Sequence, residues 1–250
     1  MVSGRENMRI LVSNDDGVFS PGILALAKVA QEFGQIRVVA PDVEQSAMSH
    51  AITVRRPLHY TKTVLSDGIE AFRVDGTPAD CVALGTHHWD EVDLVVTGIN
   101  LGHNLGHNIW HSGTVAAAKQ AAFLRIPAIA FSARYSDQPT DYAKFAPFMR
   151  DVITTMMAKP DMLLLNVNFP DTPSSIMWTR QSVRHYEGFV IPGEDPMGRA
   201  HYWFAEEPRE KIEEGTDRWA VEHGFVSVTP LRLDLTDEEL LADAKAVATS

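Results

Sequence analysis

The chain has 250 residues, of which 45% are hydrophobic, and its formal net charge is -11 at pH 7. This length and apolar content are typical of a globular protein with a buried core, whereas the negative charge argues against binding duplex nucleic acid through a basic surface. The single cysteine, Cys81, excludes an intrachain disulfide bond. No targeting segment or membrane span is recognised, so we expect a cytoplasmic protein with no membrane association.

Residues 1–7 are predicted to form a disordered leader, and residues 8–172 then alternate between strand-like and helix-like segments. The predicted strands are Met8–Ser13, Ile36–Pro41, Ala71–Val74, Val92–Asn100, Pro127–Ser132 and Met162–Pro170. The predicted helices are Gly22–Gly34, with Gly34 as its terminating glycine, a helix starting at Pro78 after the cap Thr77, Thr114–Leu124 and Tyr142–Met157. This alternation predicts an α/β fold, a Rossmann-like three-layer sandwich with a mostly parallel sheet.

Residues 173–250 depart from this alternation. Short strand-like pieces flank a polar stretch with the aromatic residues Tyr202, Trp203 and Phe204, and an acidic helix capped by Thr236 closes the chain. A hairpin of this length does not bury such aromatic residues by itself. We therefore expect a C-terminal hairpin arm and helix that serve oligomerisation and exchange between subunits.

Polar side chains follow three of the predicted strands. Asn14, Asp15 and Asp16 follow the first, the loop at residues 40–50 follows the second, and the stretch at residues 100–114 follows the fourth. Ligands of parallel α/β sheets bind at this edge, and oxygen donors suit Mg²⁺ or Mn²⁺. For the aspartate pair alone, a turn residue followed by a helix cap is an equally good explanation.

The segment at residues 112–114 leads into a helix of small residues. Its free N–H groups and positive dipole end favour a phosphate site, although an ordinary Ser/Thr cap explains the hydroxyl residues alone. His103, His107 and His111 are spaced by four residues, and a three-histidine zinc site is a second interpretation. Glycine interrupts this stretch, which disfavours helical stacking of the imidazole rings.

Five motifs occur in a fixed order: "ILVSNDDGVFSPGI", "APDVEQSAMSHAIT", "VDGTPADCV", "VVTGINLGHNLG" and "SGTVAAA". Together they resemble the survival protein SurE family, a family of metal-dependent nucleotidases. The resemblance continues through "NVNFP", "DPMGRAHYW", "GTDRWAV" and "GFVSVTPLRLDLT", so it extends from Met8 to about Asp237.

The resemblance implies a set of site residues and one divalent metal ion per subunit, Mg²⁺ or Mn²⁺. The implied metal ligands are Asp15, Asp16, Ser46 and Asn100, and the two aspartates are also the implied catalytic residues. The implied phosphate-binding residues are Asn14, Asn104, Ser112, Gly113 and Thr114. The position of His103 is usually proline in relatives, and that of Ala47 is often glycine.

The implied activity is hydrolysis of nucleoside 5′- and 3′-monophosphates to nucleoside and phosphate, by a homodimer or homotetramer. Two alternatives stay open at this point. One is a phosphatase that forms an aspartyl-phosphate on Asp15. The other is a module that binds nucleotide and metal without turnover, since a fold does not by itself determine function.

Overall fold

The structure is a computed structural model that describes residues 8–159, 161–183, 186–208 and 212–248, so the predicted leader at residues 1–7 lies outside it. The strands are β1 Met8–Ser13, β2 Gly34–Pro41, β3 Tyr60–Val64, β4 Glu70–Val74, β5 Leu94–Leu101, β6 Ala128–Ala133, β7 Leu164–Phe169, β8 Ile176–Trp178, β9 Tyr186–Glu194, β10 Ala200–Pro208 and β11 Val226–Pro230. The helices are α1 Pro21–Ala30, α2 Pro78–His87, α3 Gly113–Phe123, α4 Ala146–Met157, α5 Asp217–Glu222 and α6 Glu238–Ala248.

Nine of these strands form one sheet in the order β3-β4-β2-β1-β5-β6-β7-β11-β8. The strands from β4 to β7 are parallel to one another, whereas β3 pairs antiparallel with β4 and β11 pairs antiparallel with β7. Helices α1 and α4 pack on one face, and α2 and α3 pack on the other. The predicted three-layer α/β fold with a mostly parallel sheet is therefore confirmed.

Helix boundaries follow local capping groups. In α2, Thr77 accepts a hydrogen bond from the Asp80 N–H, and the Asp80 carboxylate accepts one from the Thr77 N–H, as a capping box requires. The prediction for α1 was wrong at its end, because α1 stops at Ala30 and Gly34 instead begins β2. A Cβ at Gly34 would lie 2.2 Å from the Met8 carbonyl oxygen, so this glycine permits close pairing with β1.

The segment after residue 172 contributes to the main sheet as well as to a separate hairpin. Strands β8 and β11 extend the sheet beyond β7, and β9 and β10 form a two-stranded sheet of their own. The boundary predicted at residue 172 therefore does not coincide with the edge of the sheet. The last helix begins at Glu238, and its Leu240 N–H is capped by Asp237 rather than by the predicted Thr236.

The described residues include no helix whose length and apolar character would let it cross a membrane.

Gly22 brings α1 against β5 immediately before Asn100. A Cβ added at Gly22 would lie 2.1 Å from the Ile99 carbonyl oxygen. Helix propensity favours alanine over glycine by about 1 kcal/mol, but overpacking against backbone costs more. We expect Gly22→Ala to lower the free energy of unfolding by at least about 2 kcal/mol, measured by urea denaturation.

The control is Ala25→Gly, at a half-buried position of the same helix, which should cost about 1 kcal/mol through propensity alone. A Gly22→Ala protein as stable as the parent would show that α1 does not make this close contact.

Candidate active site

A cavity of about 280 Å³ opens at the carboxyl edge of the sheet, and several predicted site residues line it. We call it the aspartate cavity; its wall includes Asp15, Ser46, Ala47, Asn100, Asn104 and Ser112. These residues come from the ends of β1, β2 and β5 and from the start of α3. The structure thus brings together side chains from all three loops that the sequence singled out.

Asp15 is buried, with 3% of its surface exposed, and is held by the start of α3. Its Oδ1 accepts a hydrogen bond from the Thr114 hydroxyl, and the Thr114 backbone contributes another. Burial raises the pKa of Asp15, and the bonds from Thr114 oppose that increase. The helix start therefore orients this carboxyl group towards the cavity.

Asp16 lies beside it, with an oxygen, Oδ2, that is buried and has no hydrogen-bond partner in the described part of the chain. Burial raises the pKa of Asp16 to about 7, and the charge of Asp15 adds to this increase. Two carboxyl groups this close resist simultaneous ionisation unless a cation or a proton sits with them.

The loop after β2 carries Ser46 and is fixed at two points. The Gln45 N–H donates to the Asp15 carbonyl oxygen over 2.7 Å, and the Ser49 N–H donates to the His111 carbonyl oxygen over 2.9 Å. Between them, Ala47 has a φ of 57°, in the left-handed region that favours glycine. The methyl group of Ala47 is thus accommodated at the cost of local strain.

Asn104 is fixed by a buried polar network beneath the cavity. Its N–H donates to Asn168 Oδ1 over 2.8 Å, and its Nδ2 donates to Ser132 Oγ over 2.8 Å. The Nδ2 of Asn166 donates to the Asn104 carbonyl oxygen over 2.7 Å. These hydrogen bonds to residues of β6 and β7 fix both the backbone and the side chain of Asn104 at the cavity wall.

Three residues predicted to bind phosphate lie behind the wall instead of lining it. Asn14 donates both amide hydrogens inward, to the Gly17 carbonyl oxygen and to Ser20 Oγ, so it has no donor left for a phosphate. Thr114 is engaged with Asp15. Gly113 allows the helix to approach, because a Cβ there would lie 2.8 Å from the Asp15 Cβ.

Ser112 caps α3 and faces the cavity. Its Oγ accepts a hydrogen bond from the Val115 N–H over 3.0 Å, which leaves the hydroxyl hydrogen free to donate to a bound anion. The helix-cap explanation is therefore confirmed for Ser112, and the phosphate-binding role stays a prediction for a residue that lines the cavity.

The side-chain oxygens around the aspartate cavity are suitable ligands for a hard divalent cation. Carboxylate, hydroxyl and amide oxygens line or adjoin the cavity, and the buried Oδ2 of Asp16 and Oδ1 of Asn14 have no hydrogen-bond partner among the described residues. Buried acceptors without partners cost free energy unless a cation or water satisfies them. The residues around the aspartate pair could thus hold Mg²⁺ or Mn²⁺, as the sequence predicted.

His103 and His111 line the aspartate cavity, but the three histidines do not form a metal site. His103 is bonded through Nε2 to the Phe169 carbonyl oxygen over 2.8 Å, and burial lowers its pKa, while His107 and His111 are exposed. In the part of the chain that the structure describes, no group of three His, Cys, Asp or Glu side chains is placed to hold a metal ion. The zinc interpretation therefore has no geometric support.

Sequence reasoning missed the supporting residues Ser132, Asn166, Asn168 and Asp217. Asp217 is fully buried, and its Oδ2 accepts a hydrogen bond from the Gly106 N–H over 2.8 Å, which ties α5 to the loop after β5. The alternating asparagines of "NVN" in a buried strand were a usable signal, because buried polar side chains need partners. Nothing in the sequence indicated which partners they have.

A sequence model described as "Survival protein SurE" matches residues 10–188, more than half of the chain. The chain is 52% identical over 234 residues to a Thermus thermophilus protein named 5′-nucleotidase SurE 1, covering 92% of this chain and 93% of that relative. It is 45% identical over 247 residues to the 5′-nucleotidase SurE of Deinococcus radiodurans, covering 94% and 91%. The crystal structure of the SurE protein from Aquifex aeolicus superposes with a TM-score of 0.82 at 40% identity, covering 96% of this chain and 99% of that one. These matches confirm the resemblance seen in the motifs, and the chain belongs to the survival protein SurE family.

Proposed function

We propose that this protein is a divalent-metal-dependent 5′-nucleotidase that hydrolyses nucleoside monophosphates to nucleoside and phosphate, with 3′-monophosphates as further substrates. The observation that carries the proposal is the Asp15–Asp16 pair, in which Asp15 and one oxygen of Asp16 are buried, beside a cavity lined with side-chain oxygens and the helix cap Ser112. The relatives named 5′-nucleotidase, which match over nearly the whole chain, support the same reaction.

In this proposal, Asp15, Asp16, Ser46 and Asn100 hold one Mg²⁺ or Mn²⁺ ion per subunit. When bound, such an ion supplies charge neutralisation for phosphoryl oxygens and lowers the pKa of water. Asn104 and Ser112 hold the phosphoryl group through hydrogen bonds that become stronger as its charge shifts.

Asp15 accepts the proton of the attacking water, since it lines the cavity. The Thr114 hydroxyl and the close packing of Gly113 fix this carboxyl group. This restraint favours direct attack by water over an aspartyl-phosphate intermediate.

Replacing Asp16 tests the proposed metal site. Asp16→Asn removes a charged ligand, and we expect kcat/KM for nucleoside monophosphates to fall a thousandfold or more, roughly 4 kcal/mol of barrier. The measurement is phosphate release from a panel of nucleoside monophosphates with and without Mg²⁺ or Mn²⁺.

The matched control is Asp151→Asn, which changes an exposed aspartate on α4 and should leave turnover unchanged. Parental rates for both Asp15→Asn and Asp16→Asn with added Mn²⁺ would refute the site. Nucleotide binding without any phosphate release by the parent protein would instead support a sensing module.

A second test uses stability rather than turnover. The pKa of Asp16 is about 7 in the metal-free fold against 3.8 for an unperturbed aspartate carboxyl, so the folded state binds this proton more tightly than the unfolded state. The free energy of unfolding should then fall as pH rises from about 4 to about 7, by up to ~1.4 kcal/mol per pH unit for one proton, and should level off above that. Added Mg²⁺ or Mn²⁺ should stabilise the protein more at the upper end of this range, because the ion competes with the proton.

The measurement is chemical denaturation at a series of pH values in the presence of a chelator. Asp16→Asn should reduce the dependence of the unfolding free energy on pH, and Asp151→Asn should leave that dependence unchanged. Equal slopes for the parent and Asp16→Asn would show that Asp16 does not carry the proton.

We further propose that the hairpin of β9 and β10 mediates assembly into a homodimer or homotetramer. Its two strands pair only with each other among the described strands. It exposes large apolar side chains, with Tyr202 and Trp203 each 67% exposed and Phe204 91% exposed. Exposed apolar surface of this kind marks an interface.

Light scattering tests this arm. The parent should elute as a dimer or a larger species at micromolar concentration. The double substitution Tyr202→Glu and Phe204→Glu should weaken association at least about tenfold, because two charges would be buried without partners. Val54→Glu, at an apolar residue exposed elsewhere, is the control. A parent protein that stays monomeric throughout this range would contradict the assignment.

A further inference from the structure

A second cavity, of about 610 Å³, lies beside the aspartate cavity, and His103 lines both. We call it the His103 cavity; the lining residues used below are Arg134, Asp171, Thr172, Arg218 and Glu222. Its volume falls in the range of small-molecule sites, and it is larger than the aspartate cavity.

The ring of His103 presents an acceptor at this junction. Its Nε2 lies 2.8 Å from the Phe169 carbonyl oxygen, and a carbonyl only accepts, so Nε2 carries the hydrogen. In the neutral ring, Nδ1 is then a hydrogen-bond acceptor. No described residue donates a hydrogen bond to Nδ1, which leaves it available to a ligand that crosses from one cavity to the other.

The charged side chains of the His103 cavity are paired. Arg134 lies 2.9 Å from Asp171, and Arg218 lies 2.6 Å from Glu222. Two arginines and two carboxylates leave no surplus charge, so this cavity suits a neutral group better than a second phosphate. Guanidinium planes also provide flat surfaces on which a base can stack.

On the basis of the proposed nucleotidase function, we propose that the His103 cavity binds the nucleoside of the substrate while the phosphate occupies the aspartate cavity. The ribose is bonded directly to the phosphate, so it lies at the shared wall. There, Nδ1 of His103 accepts a hydrogen bond from a ribose hydroxyl. His103 would then be a specificity-determining residue of this chain.

A third cavity, of about 740 Å³, is larger but less suitable. It shares no lining residue with the aspartate cavity, and its four carboxylates outnumber its two cationic side chains, Lys119 and Arg232. A nucleotide held there would place its phosphate among negative charges and away from the aspartate pair.

Two matched substitutions separate the cavities. Thr172→Trp fills the His103 cavity from an exposed position, and Thr236→Trp does the same in the third cavity. Thr172→Trp should lower kcat/KM for nucleoside 5′-monophosphates at least about tenfold, mainly through KM, because it removes binding surface for the nucleoside. It should leave glycerol 2-phosphate hydrolysis unchanged, and Thr236→Trp should change neither rate.

Binding of adenosine, measured by chemical-shift titration, gives a readout that needs no turnover. Adenosine should bind to the parent protein and to the Thr236→Trp variant, and this binding should be lost in the Thr172→Trp variant. If the parent released no phosphate from any monophosphate, the proposed function would fail, yet this binding pattern would still support the subsite. Loss of adenosine binding in Thr236→Trp, or in neither variant, would overturn the subsite whatever the catalytic result.

The role of His103 has its own measurement on the unaltered protein. The parent should use a nucleoside 5′-monophosphate at least about tenfold more efficiently than its 2′,3′-dideoxy analogue, because the analogue leaves Nδ1 unpaired. His103→Leu should reduce the ratio of the two efficiencies, because leucine cannot accept the hydrogen bond from ribose. Equal efficiency of the parent with both substrates would refute the contact to ribose.

Discussion

Two adjacent carboxyl groups lie at the end of β1, with Asp15 buried and Asp16 partly buried, and their repulsion and loss of hydration govern the surrounding structure. Removing a carboxylate from water costs several kcal/mol unless it is paired or hydrogen-bonded. The fold offsets this cost for Asp15 through Thr114, but leaves one oxygen of Asp16 without a partner in the described chain. Compensation of the second charge would therefore stabilise the site, and in the proposed function a proton and a divalent cation compete for that role.

Close approach of backbone elements makes this arrangement possible, and small residues permit it. Gly113 lets the start of α3 contact Asp15, and Gly22 lets α1 contact β5 immediately before Asn100. The buried face of α3 is built from Ala116, Ala117, Ala118, Ala121 and Ala122. A helix with such short side chains lies close to the sheet, and its N–H groups reach a carboxyl group at the strand end. The same packing that forms the core thus fixes the distances in the site.

Much of the fold could be predicted from the sequence, because buried strands, amphipathic helices and caps such as Thr77 are local signals. The continuation of the sheet beyond β7 could not, since the pairing of β11 with β7 joins residues far apart in the chain and leaves no periodic trace. In the site, the polar residues at the strand ends were predictable as a group. Their individual orientations were not: Asn14 turns its donors inward because of the neighbouring Gly17 carbonyl, and Asn104 depends on partners from other strands.

The attachment of the loop after β2 determines which part of the cavity wall at Ser46 is fixed and which part can rotate. The backbone on both sides of Ser46 is fixed, whereas the Ser46 side chain is exposed and donates a hydrogen bond to the exposed Glu44 side chain over 2.6 Å. Exposed side chains rotate within picoseconds to nanoseconds, so this part of the cavity wall can change without a change in the backbone. An ion that Ser46 helped to hold would therefore take that ligand from a freely rotating hydroxyl on a fixed backbone.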